Sequence, residues 1–139
     1  MTHADTTRRV TATLVPEGLR LATLPKYFGR WDIIVEGSIY NWMRALCAEY
    51  SGGEWRFIAL SNGGIFLAPR VGQYRLVQPE NGFDDTVGDE AAGIIVTLCT
   101  LSHLSFRYPA EAVFSERFHQ LRAFALDHPE AGLIFRAID

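Results

Sequence analysis

Cys99 and His103 are four residues apart, the spacing that sets two side chains on one face of a helix, and a thiolate beside an imidazole there would supply half of a zinc site. Structural zinc takes four ligands and catalytic zinc three, yet no C-x-x-C or H-x-x-x-H pair completes the set, so the two read as residues of a packed helix. Glu116 and His119 have the Glu-x-x-His spacing of one helix of a di-iron site. That chemistry needs a second copy and further glutamates from other helices, which leaves a solvated helix face. Ser61 precedes Asn62-Gly63-Gly64 instead of sitting in the G-x-S-x-G elbow that exposes a nucleophile. Gly52-Gly53 and Gly63-Gly64 are followed by no Gly-Lys-Ser/Thr and are turn glycines, not phosphate loops. No catalytic, cofactor-binding or metal-binding residue is assigned, and no cofactor is expected.

Two features remain as candidate partner-binding residues. The stretch ENGFDDTVGDE, residues 80–90, carries Glu80, Asp84, Asp85, Asp89 and Glu90 and no basic residue. Its spacing is not that of an EF-hand. It reads either as a solvated loop whose last acids complement the dipole of a following helix, or as a contact surface for a cation or basic partner formed by Asp84, Asp85, Asp89 and Glu90. Trp31, beside Arg30 in an expected loop, is of the residue type enriched at interface hot spots and is equally suited to a core.

Composition narrows the class. A chain of 139 residues with 48% hydrophobic content can bury a core, and no repeat or Pro/Ser-rich linker divides it, so residues 1–139 read as one domain. Thirteen basic against sixteen acidic residues give a net charge of −3, neither the footprint of a nucleic-acid binder nor the load of a DNA mimic. Two cysteines make no disulfide framework and fit a reducing cytoplasm. The start MTHADTTRR has no apolar h-region, and the apolar run from Ala91 to Leu104 is broken by Thr97, Thr100, Ser102 and His103, so a soluble protein with residues 1–9 disordered is expected.

The elements that would position these side chains follow from periodicity. Strands are expected near 10–15, 54–60, 65–69 and 73–78, with Asn62-Gly63 as a type I′ hairpin turn between the second and third. Helices are expected near 20–28, 38–50, 89–106 and 109–127. In the second, Ile39, Trp42, Met43, Leu46, Cys47 and Tyr50 form one stripe, Ser38 is the expected cap and Ser51-Gly52-Gly53 the stop. Pro109 is expected in the first turn of the last. The fold class is α+β, a small antiparallel β-meander packed with about four helices. The tail GLIFRAID is apolar enough to dock on the domain.

The same stretches carry a resemblance. Trp42-Met43, Leu46-Cys47-Ala48, Tyr50-Ser51-Gly52-Gly53, Trp55, Phe57, Leu60-Ser61-Asn62-Gly63-Gly64, Phe66 and Ala68-Pro69 closely resemble the ArdB/KlcA-type antirestriction proteins of bacterial mobile genetic elements, with weaker matches at 90–94, Ser102-His103 and His128-Pro129-Glu130. The resemblance implies an inhibitor of type I restriction endonucleases with no catalytic residues to carry over. B-DNA presents about one negative charge per 1.7 Å of axis, so a mimic needs tens of charges where this chain has a net −3. The expected partner is therefore a protein, either the restriction endonuclease complex or a factor controlling it, with no direct nucleic-acid or membrane contact. A small metal-dependent or hydrolytic enzyme with a site assembled from Asp84, Asp85, His103 and His119 is the alternative.

Overall fold

The structure, a computed structural model, describes residues 9–139. The expected disorder of 1–9 falls almost wholly outside the described residues. Among them are strands β1 (Ala12–Leu14), β2 (Arg56–Leu60), β3 (Ile65–Ala68), β4 (Gln73–Gln78) and β5 (Phe83–Gly88). The helices are α1 (Arg20–Phe28), α2 (Asp32–Leu46), α3 (Asp89–Arg107), α4 (Ala112–Leu126) and α5 (Ala131–Ile138). The α+β class holds, but the strands form two antiparallel sheets, β1-β2-β3 and β4-β5, where one meander was expected.

The second helix begins six residues ahead of its expected start near 38. Asp32 puts a carboxylate in its first turn, no side chain caps it, and Gly37 and Ser38 lie inside it. An internal Gly costs roughly 0.5–1 kcal/mol, which burial of Val35, Ile39 and Met43 along one stripe outweighs. The helix stops at Leu46, with Cys47 already extended, ahead of the Gly52-Gly53 turn.

Hairpin β2-β3 forms where Asn62-Gly63 placed it, with Ile58 opposite Phe66 and Ala59 opposite Ile65, but its turn is not type I′. Type I′ needs positive φ at both central residues, and no described non-glycine residue has it. Gly63 N–H donates to Leu60 O at 3.1 Å and Leu60 N–H to Gly64 O at 2.9 Å, with Gly63 at φ 94°, the pattern of a three-residue loop closed by a left-handed glycine bulge. Asn62 keeps negative φ because its side chain is held at both ends: Nδ2 donates to Gln120 O at 2.9 Å and Oδ1 accepts Gly64 N–H at 3.0 Å. Gly63→Val should lower stability by about 1–2 kcal/mol, because a β-branched residue is forced to positive φ. An unchanged thermal melt would show that the loop relaxes to another form.

The acidic run 80–90 is the other departure. It is a turn followed by β5, in which Phe83 and Val87 are buried while Asp84 and Thr86 face water. Asn81 organises the turn, its Oδ1 accepting Phe83 N–H at 3.0 Å and its Nδ2 donating to Ala137 O at 2.9 Å at the end of α5. The tail is thus helical, and Asn81 satisfies one of the carbonyls that a helix C-terminus leaves open.

Helix α3 is the hub, buried on nearly every side from Ala91 to Leu104. Helices α2, α4 and α5 and strand β3 surround it. It reaches β3 backbone to backbone at Gly93, and Thr97 Oγ1 accepts Leu67 N–H at 3.4 Å. The ring of Phe124 from α4 stacks on Phe66 at 5.8 Å, and all four residues of β3 are buried, so both faces of the strand are covered. Helix α4 starts at Ala112, not at Pro109. Proline disfavours helical geometry in the residue before it, and Tyr108 accordingly sits at φ −125°, ψ 69°, which makes 108–111 a turn.

Candidate functional site

The folded chain brings Cys99 and His103 to one face of α3, as their spacing implied, in a cleft of about 420 Å³ between α3, α4, α5 and the β4-β5 turn. Burial pushes the Cys99 thiol up to about 12, so it is the protonated form that faces the cleft at neutral pH and not a nucleophilic thiolate. Among the described residues no three His, Cys, Asp or Glu side chains stand close enough to share a metal ion. Glu116 and His119 are both exposed on α4. Asp84 and Asp85 lie on β5, His103 on α3 and His119 on α4, without forming one cluster.

The candidate carboxylates do not stand as an open acidic patch, because each has a basic neighbour. Arg75, diagonally across on β4, grips Asp84 through Nε at 2.9 Å and a terminal nitrogen at 2.7 Å. That hydrogen-bonded guanidinium holds the Asp84 carboxyl below its ordinary range and raises Arg75 in turn. Asp85 lies 3.8 Å from Arg136 of α5 and accepts Thr86 N–H at 2.9 Å. Asp89, in the first turn of α3, is paired with Arg56 of β2 and accepts Gly72 N–H at 3.3 Å, which ties three segments together. Glu90 meets His128 Nε2 at 3.0 Å. His128 Nδ1 accepts Glu130 N–H at 3.0 Å, so the proton of the neutral ring sits on Nε2 and is donated to Glu90. Asp84 is the most exposed of the four, and Glu80 stands exposed at the mouth of the Cys99 cleft.

Trp31 ends a short 3-10 turn and is half-buried, its ring 4.5 Å from Tyr108 and 5.5 Å from Phe114 by centroid. Its Nε1 donates to Glu111 at 3.0 Å, while the Arg30 guanidinium covers the ring at 4.6 Å. This indole joins the N-terminal helices to the α3-α4 connection, and most of its contact capacity is used inside the molecule.

Residues 48–139, from the end of α2 through α5, match the family model described as antirestriction protein. Antirestriction protein KlcA of Escherichia coli is 42% identical over 135 residues, covering 94% of this chain and 95% of that protein. Protein YafX of Escherichia coli strain K12, described as uncharacterized, is 40% identical over 136 residues, covering 94% and 88%. A solved structure superposes with a TM-score of 0.88 at 43% identity, covering 95% of this chain and 96% of that one. The work that presents it describes the KlcA and ArdB proteins as having a novel fold and antirestriction activity against type I DNA restriction systems in vivo but not in vitro.

Proposed function

The chain belongs to the antirestriction protein family, and from that membership we propose that it blocks type I restriction-modification in the bacterial cytoplasm, sparing incoming mobile-element DNA through contacts with protein and not by imitating DNA. The observation that carries the activity is the likeness over nearly the whole chain, in sequence and in fold, to proteins with antirestriction activity in vivo. What argues against mimicry is charge. The net charge is −3, Asp84, Asp85 and Asp89 are each matched by an arginine of the same molecule, and Glu90 is hydrogen-bonded to His128. A duplex mimic needs an unbroken array of unmatched negative charge. The relatives' activity in vivo but not in vitro favours a target or helper that purified endonuclease lacks, namely a protein that controls the restriction complex in the cell. No observation favours the enzyme alternative, whose dispersed aspartates and histidines do not converge.

Cells carrying a type I system should plate unmodified phage at far higher efficiency when they express this protein. Unchanged plating across several type I systems would remove the proposal. Potent, salt-sensitive displacement of DNA from purified endonuclease would instead restore mimicry, since screening weakens such contacts steeply with salt.

A further inference from the structure

The face formed by α3 and α4 carries a guanidinium with no carboxylate or carbonyl partner beside apolar surface. The Cys99 cleft of about 420 Å³ continues into a second hollow of about 280 Å³, and Ser102 and Phe118 line both. Phe135 lies toward one end of this groove and Phe106 at the other, where Phe106 is 83% exposed. Arg122 of α4 stands on the wall with its guanidinium 5.2 Å from the Phe135 ring centroid. Arg30, Arg56, Arg75 and Arg136 pair with carboxylates, and Arg20 and Arg117 donate to backbone carbonyls. Arg122 has neither kind of partner among the described residues. His103 and His119 also line the groove, and Glu80 and Asp139 line the same hollow as Arg122 but form no ion pair with it.

Resting on the reading that the target is a protein, we infer that this groove docks a partner segment in which a carboxylate neighbours a large apolar side chain. The apolar group lies on Phe118 between Phe106 and Phe135, and the carboxylate meets Arg122. The guanidinium fork matches a carboxylate in two-point geometry, and an arginine already stacked on a ring loses little freedom on pairing. Arginine and exposed aromatic side chains are also the residue types that dominate interface energetics. A chain segment suits two hollows set end to end better than a single small ring does. Nucleic acid is disfavoured because one arginine and two histidines make no phosphate-tracking stripe.

Two exposed positions test this without threatening the core, Arg122→Glu and Phe106→Ser, each first checked for a wild-type melt. Nuclear magnetic resonance titration uses the capped peptide Asp-Phe-Glu-Leu, its neutral counterpart Asn-Phe-Gln-Leu, and 3-phenylpropionate. Amide shifts confined to 102–106 and 118–122, about tenfold weaker for the neutral peptide and lost in Arg122→Glu, are expected. Shifts elsewhere, no shifts, or equal affinity for both peptides would overturn the inference. Phenylpropionate binding as tightly as the acidic peptide would also overturn it, in favour of a small-molecule site. In cells, either variant should lose about tenfold or more of the wild-type gain in phage plating. Full protection by both folded variants overturns the groove as the partner surface. A wild-type protein that gives no protection removes the proposed function instead, and the titration then decides the groove by itself.

Discussion

Replacing Gly93 by alanine is expected to destabilise the protein by about 3 kcal/mol or more and to lower its melting temperature by about 10 °C. The added Cβ would lie 2.1 Å from Leu67 O, 2.7 Å from Ala68 Cα and 3.0 Å from Leu67 C, all backbone atoms. A clash with the end of a flexible side chain can be turned aside, but one with a strand requires the strand or the helix to move. Strand β3 cannot yield easily: its register with β2 fixes one edge, Thr97 holds Leu67 N–H, and side chains cover both faces. Helix α3 would have to lift, loosening the packing of its buried neighbours Ala92 and Val96. Gly37→Ala is the matched control, because that glycine is also helical but a Cβ there meets nothing within 4 Å. It should raise stability by about 0.5–1 kcal/mol through helix propensity alone. Urea and thermal melts compare the two, and a Gly93→Ala protein that melts with wild type would show that α3 can ride higher on the sheet.

What could be read in the sequence divides along physical lines. Helices α1 and α3 and the β2-β3 hairpin appear close to where periodicity and Asn62-Gly63 put them, since each is specified by residues near one another in the chain. The start of α2 was misplaced because Gly37-Ser38 is a local helix-start signal, and burial of Val35 and Ile39 against other elements overrides it. Strand β5 was hidden by its own carboxylates. Asn81-Gly82 is the same hairpin signal as Asn62-Gly63, but Asp84 and Asp85 leave only Phe83 and Val87 as an inward pattern. Helix α5 is too short to be stable alone, and Asn81, more than fifty residues away in sequence, caps its end.

The candidate site was less legible for a related reason. A run of acids can be counted in the sequence, but the bases that match it cannot. Arg56 is 33 residues from Asp89 and His128 is 38 from Glu90, so only folding reveals which acids of the run are already engaged inside the molecule. Trp31 shows the same limit, since its partners Tyr108, Glu111 and Phe114 all come from the α3-α4 connection and the start of α4. The groove at Arg122 is assembled from α3, α4, α5 and the β4-β5 turn, and no linear motif announces it. Arg122 was visible only as one basic residue among thirteen.

The four carboxylates therefore divide into two kinds, and Asp89→Ala should separate them by costing about 2–3 kcal/mol. Asp89 is only 21% exposed and its partner Arg56 33% exposed, so the pair is partly shielded from water. Removing the acid leaves the Arg56 guanidinium in a pocket where its Nε already lacks an acceptor, with Pro69 O at 3.0 Å as its remaining partner. It also strips Gly72 N–H of its acceptor and removes one of two acids facing the positive end of the α3 dipole. Water reaching the arginine keeps the cost below the roughly 3–5 kcal/mol typical of breaking a fully buried pair. Asp84→Ala should leave the melting temperature almost unchanged, because the Arg75 pair is solvent-exposed and such pairs contribute little. Acid titration should show the sign directly. Arg75 holds the Asp84 carboxyl low when folded, so its small stabilisation is present above the unfolded carboxylate range and fades as pH falls through the folded value. A variant changed at all four positions would confuse partner contact with folding, whereas Asp84→Ala and Asp85→Ala test the surface and Asp89→Ala tests the frame. An Asp89→Ala protein as stable as wild type would mean that Arg56 swings out to water, and that the bond from β2 to α3 is dispensable.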